Sequence, residues 1–283
     1  CLDYPNPYSN PGDLVQQGLG NMYYGALTGD TLYVNKGFGH AKAEFVVHSA
    51  GDGIRNDGSC VHHNDQLYTG WYGASVASLG ARYFVCTRNT HWSLPKSYSD
   101  VLNNFNVNGT AWALYNNFYD LSLIGRGITQ QASMLSDYTR SNGLGGLSAL
   151  LLMSNEQGVN RAIFRNAAAK MLSTWTAPVP IELANYAADV LKDPAVVPSW
   201  PLGTKHYWET YFTAHNGKNY RFSVKMMAPG ISGSELINSE GQKSWHLSDG
   251  MTYILRKGDE YIQNDVAPTL DWNRLPGITV EKK

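Results

Sequence analysis

The chain has 283 residues and a net charge of −1, so it carries no basic field of the kind nucleic acid requires. Hydrophobic residues make up 43% and charged residues 16%, enough apolar surface for one large domain or two smaller ones, and no run is long and apolar enough to span a membrane. The 18 Tyr and 8 Trp, set among many Asn and Gly, suit sugar surfaces, where rings stack on C–H faces and amides bond hydroxyls.

Three cysteines, Cys1, Cys60 and Cys86, are too scattered for a zinc knuckle or a disulfide framework. Cys60 and Cys86 are free to pair or to stay apart. The first residue is Cys1 rather than Met, and the last stretch follows Leu275-Pro276-Gly277-Ile278-Thr279-Val280; the chain reads as a segment of a longer protein.

In chain order, residues 13–28 have helical spacing through Leu14, Leu19, Met22, Tyr23 and Leu27, and Gly29-Asp30 ends the helix. Thr31 can cap a second helix reaching about Ser49. A polar loop follows. A third helix is predicted from about Gly70 to Cys86, and a fourth, capped by Ser97 or Ser99, contains Val101, Leu102 and Phe105. Another runs from about Ala111 to Tyr119. The loop Asp120 to Gln130 leads into helices over Leu144–Met153, Val159–Leu172 and Pro180–Leu191, with no strand between them, which argues stacked helical hairpins. Near Pro198-Ser199-Trp200-Pro201 the period changes from helical to alternating. His206 to His215 alternates, Asn216-Gly217-Lys218-Asn219 supplies a turn, and Tyr220 to Met227, Trp245-His246-Leu247 and Met251 to Leu255 read as further strands. The fold class is therefore α+β: helical residues 1–200, then antiparallel sheet over 201–283.

The loop after the second helix carries the chemistry. Asn56-Asp57-Gly58-Ser59-Cys60-Val61-His62-His63 opens on a turn, and Tyr68-Thr69-Gly70-Trp71-Tyr72-Gly73 closes it where a helix begins. Histidine and tyrosine thus share one loop-to-helix junction, and imidazole with phenol is a pair suited to moving a proton from carbon to oxygen. The plain alternative is a satisfied histidine beside core tyrosines.

These stretches, together with Gly125-Arg126, Glu235-Leu236-Ile237-Asn238, Trp245 to Tyr253 and Leu275 to Thr279, resemble polysaccharide lyases of family eight in order and spacing. The resemblance implies an incomplete α/α toroid followed by the start of a β-sandwich. It also implies a secreted enzyme without cofactor or metal, acting on an anionic polysaccharide of hyaluronan or chondroitin type, with the remainder of the same chain required. The implied reaction is β-elimination. A base takes the proton at C5 of a uronic acid, the C4–O bond breaks, and an unsaturated ring remains.

By match to the motifs, Tyr72 is the base and then the acid, His63 assists at C5 or at the carboxylate, and Arg126 is the cation that favours the phenolate. Glu235 orients them. A free phenol titrates near about 10, so such a site needs a neighbouring cation or a proton path. Gln130, His62, Trp71 and Asn238 fall among the substrate-binding positions, although His62, standing where the family has glutamine, reads as a structural residue more than a functional one. Asp13 stands where the family carries a carboxylate-binding asparagine, and it can instead cap its helix. Gln130 stands where the family has a second arginine. Both changes make the site less hospitable to a polyanion. Two other readings are open on the sequence: a carbohydrate-binding relic of such a lyase, and an α/α-barrel glycoside hydrolase, which needs two opposed carboxylates such as Asp13 and Glu235.

Overall fold

The computed structural model describes residues 11–63, 65–129, 132–156, 160–227, 229–262 and 266–279. The first helix, α1 (Pro11–Thr28), buries Val15, Leu19 and Met22, and it pairs with α2 (Thr31–Ala43). Gly18 and Gly37 face each other so closely that a Cβ on either would meet the other's carbonyl. α2 starts one residue after its cap: Asp30 Oδ1 accepts from Leu32 N at 2.9 Å, so Thr31 is the first helical residue and not the cap. It also ends six residues short of Ser49. There the backbone turns to pair instead, with His48 N donating to Ile54 O at 2.8 Å.

The central loop is itself a small antiparallel sheet, β1 (Gly53–Ile54), β2 (Cys60–His62) and β3 (Gln66–Leu67), in that order. Asp57 builds its turn by accepting from Ser59 N at 2.9 Å and Ser59 Oγ at 2.6 Å. After it, α3 (Tyr72–Thr87) packs its small face, Gly73, Ala74, Ala77, Gly80 and Ala81, into the helical core. Next is α4 (Lys96–Phe105), which begins after Pro95 and has Ser97 and Ser99 inside it. It runs through a π-helical turn, Asn106–Thr110, into α5 (Ala111–Ala113).

Helix was predicted to continue to Tyr119. The chain instead forms a hairpin of β4 (Leu114–Tyr115) and β5 (Phe118–Tyr119). Asn116, with φ 54°, supplies the left-handed turn that asparagine tolerates. The expectation of helices without intervening strands is corrected at both small sheets. Two 3₁₀ turns, Leu121–Leu123 and Gly125–Thr129, lead toward α6 (Ala132–Met153), α7 (Arg161–Leu172) and α8 (Ile181–Lys192).

The β part is a meander, β6 (Gly203–Tyr207), β7 (Phe212–Asn216), β8 (Arg221–Met226) and β9 (Asp249–Leu255), each antiparallel to the next. The stretch His206 to His215 is two strands rather than one, because Tyr211 at φ 52° turns the chain between them. Trp245-His246-Leu247 forms turns, not a strand, with Ser244 N and Leu247 N bonding three residues back. A short α9 (Val266–Thr269) follows. Alternation along the sheet buries Tyr207, Phe212, Ala214, Met251, Tyr253 and Leu255 against the helical core. Polar bonds fix the junction: Tyr207 OH donates to Asn108 O at 2.6 Å, and Glu209 N to Asp57 Oδ2 at 2.8 Å. Among the described residues, no helix is long and apolar enough to cross a membrane.

Candidate active site

The small sheet β1–β3 aims two histidines in opposite ways. His62 lies in β2, where its ring is fully buried and its Nε2 sits 3.2 Å from Cys60 Sγ. Burial pushes its basicity down to about 3, with the charges of His63 and His48 adding to the effect. It is a neutral wall residue. The placing of His62 among the substrate-binding positions is therefore corrected and its structural reading stands, since no part of its side chain reaches solvent.

His63 leaves the strand at φ 54°, which swings its ring out to a half-buried position. Its Nδ1 lies 2.7 Å from Glu235 Oε1 and 3.3 Å from Arg126 Nη1. An ionised carboxylate only accepts, so at 2.7 Å the proton belongs on Nδ1. The Nε2 lone pair is then directed away from Glu235.

Tyr68 and Tyr72 stand one helical turn apart across the start of α3, with ring centroids 5.1 Å from each other. Tyr68 is buried, and its hydroxyl donates to Glu235 Oε2 while accepting from Arg126 N at 3.1 Å. That contact depends on Gly125. Its φ is +52°, and a Cβ there would run into the Tyr68 ring. Tyr72 opens α3 half-buried, its ring centroid 4.7 Å from that of His63 and its hydroxyl 3.4 Å from Arg126 Nη2.

Arg126 therefore touches every member of the group. Its Nη1 donates to Glu235 Oε1 at 2.7 Å, and its Nε donates to Glu240 Oε2 at 2.7 Å. Two carboxylates hold the guanidinium plane, and a charge-assisted pair on each side fixes its direction. The remaining Nη2 faces the Tyr72 oxygen, where negative charge is stabilised if the phenol gives up its proton.

The structure brings His63, Tyr72, Arg126 and Glu235 into one cluster. Two members escaped the sequence reading. Tyr68 was signalled only by its four-residue spacing from Tyr72. Glu240 was signalled by Asn238-Ser239, a turn with both residues at positive φ (55° and 63°) that brings Glu240 back beside Ile237. Asn238 is exposed in that turn; it shapes the approach of Glu240. Trp71 lays its ring over Gly127, where a Cβ would collide with it. Asp13 is exposed in the first turn of α1. Asp13 lies inside the helical span Pro11–Thr28 and so is not its cap, although its charge suits a helix N-terminus. Gln130 lies outside the described residues. Among those described, Cys60 and Cys86 are free thiols, and no three His, Cys, Asp or Glu side chains converge as metal ligands would.

Residues 5–164 match the N-terminal alpha-helical domain of polysaccharide lyase family 8, and residues 202–283 match its super-sandwich domain. The chain belongs to polysaccharide lyase family 8. Among family 8 relatives, it is 28% identical to a hyaluronate lyase of Thermasporomyces composti, over 82% of this chain and 31% of that protein. It is 25% identical to a xanthan lyase of Bacillus sp. strain GL1, over 83% of this chain and 26% of that protein. The Streptomyces coelicolor A3 chondroitin AC lyase, solved in complex with chondroitin sulphate, superimposes with a TM-score of 0.85 at 19% identity, covering 100% of this chain and 40% of that one. That likeness establishes the fold, an incomplete α/α toroid leading into an antiparallel β-sandwich. The chain spans about a third or less of the length of these curated relatives.

Proposed function

We propose that the protein is a polysaccharide lyase that cleaves a uronate-containing, anionic glycan by β-elimination, and that the cluster on Arg126 is its catalytic centre. The observation that carries this reading is the Tyr72 hydroxyl held at Arg126 Nη2, beside an imidazole whose Nδ1 is fixed by Glu235.

The reaction needs three things. The C5 proton must leave, the neighbouring carboxylate must be neutralised, and the departing C4 oxygen must gain a proton. Arg126 favours the phenolate of Tyr72, which takes the C5 proton as the C4–O bond breaks and then returns it to the leaving oxygen. His63 faces the same space with Nε2 and assists at C5 or at the carboxylate. Glu235 sets the His63 tautomer and, with Glu240 and Tyr68, holds Arg126 in place.

Hyaluronate, xanthan and chondroitin AC lyases among the relatives support an acidic polysaccharide as substrate. Such a polymer cannot cross a membrane intact, so we place the enzyme outside the cytoplasm, secreted or periplasmic. We also propose that residues 1–200 belong to the toroid and 201–283 to the sandwich; the gap between α8 and β6 supports that division. The rest of the lyase chain would complete both units.

Replacing Tyr72 with Phe tests the assignment. A proton shuttle acts mainly in the transition state, so Tyr72→Phe should lower turnover by about 10²–10⁴-fold while glycan affinity changes little. If the variant retained half of wild-type turnover, Tyr72 would not be the base.

A further inference from the structure

A second cleft, of about 430 Å³, opens where the β4–β5 hairpin, the turn after α7 and the segment after β9 meet. Its volume is that of a small-ligand site, and none of its lining residues belongs to the Arg126 cluster. The walls are fixed in advance. Asn116 Nδ2 donates to Lys257 O at 2.8 Å, Asn117 Nδ2 donates to Thr174 O at 2.6 Å, and Thr174 Oγ1 bonds Asn117 Oδ1 at 3.1 Å. Three separate segments are thereby locked together around one space.

The lining has the chemistry of sugar recognition. Phe118 and Trp175 contribute aromatic rings and Thr176 a hydroxyl, and Asn116 and Asn117 keep the amide hydrogen-bonding positions left over from the bonds that lock the walls. The indole N–H of Trp175 is buried behind the ring without an acceptor among the described residues, so Trp175 serves the cleft through its ring. Two cations, Arg256 and Lys257, line the same space against one carboxylate, Asp259. The neighbouring Glu260 spends its carboxylate on the backbone N–H groups of Arg256, Lys257 and Gly258, and neither cation's side chain has an ion pair or hydrogen bond among the described residues. Rings, amides and a surplus cation together select a sugar that carries a carboxylate or sulfate.

We propose that this cleft is a second saccharide site that holds an acidic sugar unit away from the Tyr72 cluster. The ligand class follows from the cleft's own residues; that the unit belongs to the polymer being cleaved rests on the proposed elimination. An accessory site of this kind tethers a long chain while the catalytic centre works on another part of it, and raises effective concentration rather than chemical rate.

The test uses the full-length protein carrying Tyr72→Phe to suppress cleavage, with and without the added pair Arg256→Gln and Lys257→Gln. Both added changes are at exposed positions and leave the core untouched. Calorimetric titration with tetrasaccharides of hyaluronan, of chondroitin 4-sulfate and with maltotetraose separates the sources of recognition. The expected result is two binding events for an acidic tetrasaccharide, one of them weakened at least about tenfold by the added pair, as loss of two charge-assisted contacts implies. An effect with hyaluronan assigns the site to the carboxylate, and an effect with the chondroitin sugar alone assigns it to the sulfate. In the protein with Tyr72 intact, the same pair should raise KM for polymer and leave the kinetics on a tetrasaccharide unchanged. Superimposable titrations with and without the pair, or equal weakening for maltotetraose, would overturn the proposal. If no glycan gives an unsaturated product but the acidic tetrasaccharide still loses one event, the elimination reading fails and the second site stands.

Discussion

Asp120–Arg221 and Arg126–Glu235 both tie the segment after the β4–β5 hairpin to the β part of the chain, at 3.0 and 2.7 Å. The first pair is fully buried on both sides, while Arg126 keeps 17% of its side-chain surface. Around Arg221 the other partners are inert: Asp120 also caps the 3₁₀ turn through Ser122 N, and Arg221 Nη1 bonds Trp112 O and Asn216 Oδ1. Around Arg126 stand an imidazole and two phenols. The same kind of ion pair is mortar in one place and, in the proposed mechanism, part of the chemistry in the other. What separates them is solvent access and an imidazole: the phenols near the buried pair, Tyr207 and Tyr253, are pushed up by burial and stay protonated.

Isosteric amides in the two carboxylates press on that difference. Asp120→Asn should cost about 3 kcal/mol or more of stability, because it leaves the buried Arg221 charge uncompensated. Chemical denaturation of the full-length protein reads this directly, and a loss below 1 kcal/mol would make the two pairs alike. Glu235→Gln should cost less stability, since Glu240 still holds Arg126, but should lower turnover by about 10²-fold through the freed tautomer of His63. The kinetic counterpart is that Asp120→Asn leaves kcat unchanged under conditions where it is folded.

His62 sharpens the contrast from within the cluster, as a fully buried residue beside the proposed catalytic groups. Its folded value of about 3 lies below the ordinary 6.5. The unfolded chain therefore takes up this proton first, so the stability His62 contributes is complete above about pH 6.5 and is lost as the pH falls toward 3. The slope is at most about 1.4 kcal/mol per pH unit. Glu44 works in the opposite sense. Burial raises it from 4.5 to about 7, so its contribution is present below 4.5 and lost as the pH rises through 7. Subtracting the stability profile of His62→Gln from that of the wild type removes the Glu44 effect and isolates the histidine. A flat difference would place His62 in water.

The sequence made one of these regions legible and left the other unseen. His63, Tyr72, Arg126 and Glu235 stand in short stretches with a recognisable order, so their types and spacing could be read together. Arg221 sits in an ordinary alternating strand, and Asp120 reads as a loop residue; only the tertiary approach of the two makes them a pair. The fold class was readable from the change of period near Trp200. The β4–β5 hairpin was not, because Leu114, Tyr115, Phe118 and Tyr119 fit a helix as well as two two-residue strands, and the turn at Asn116 decides between them. Tyr68 stayed hidden for a similar reason. A buried tyrosine is ordinary until its hydroxyl is seen between Glu235 and Arg126.

The smallest expected effect concerns Asp13. A carboxylate about 4 Å from a substrate carboxylate repels it by about 1 kcal/mol in water and about 4 kcal/mol at a dielectric of 20. Asp13 is exposed, which favours the lower figure. Asp13→Asn should therefore raise turnover on a uronate glycan near neutral pH by less than about tenfold. Identical rates across the pH range would leave Asp13 with a helix-terminal role alone.

The central claim is elimination itself, and the products decide it. The full-length protein, incubated with hyaluronan, chondroitin and xanthan, should give from at least one of them a product with the ultraviolet absorbance of a C4–C5 unsaturated uronate, one absorbing end for each bond cut. New reducing ends without that absorbance would make the protein a hydrolase, and retention of glycan without any new ends would make it a binding protein; either result contradicts the account.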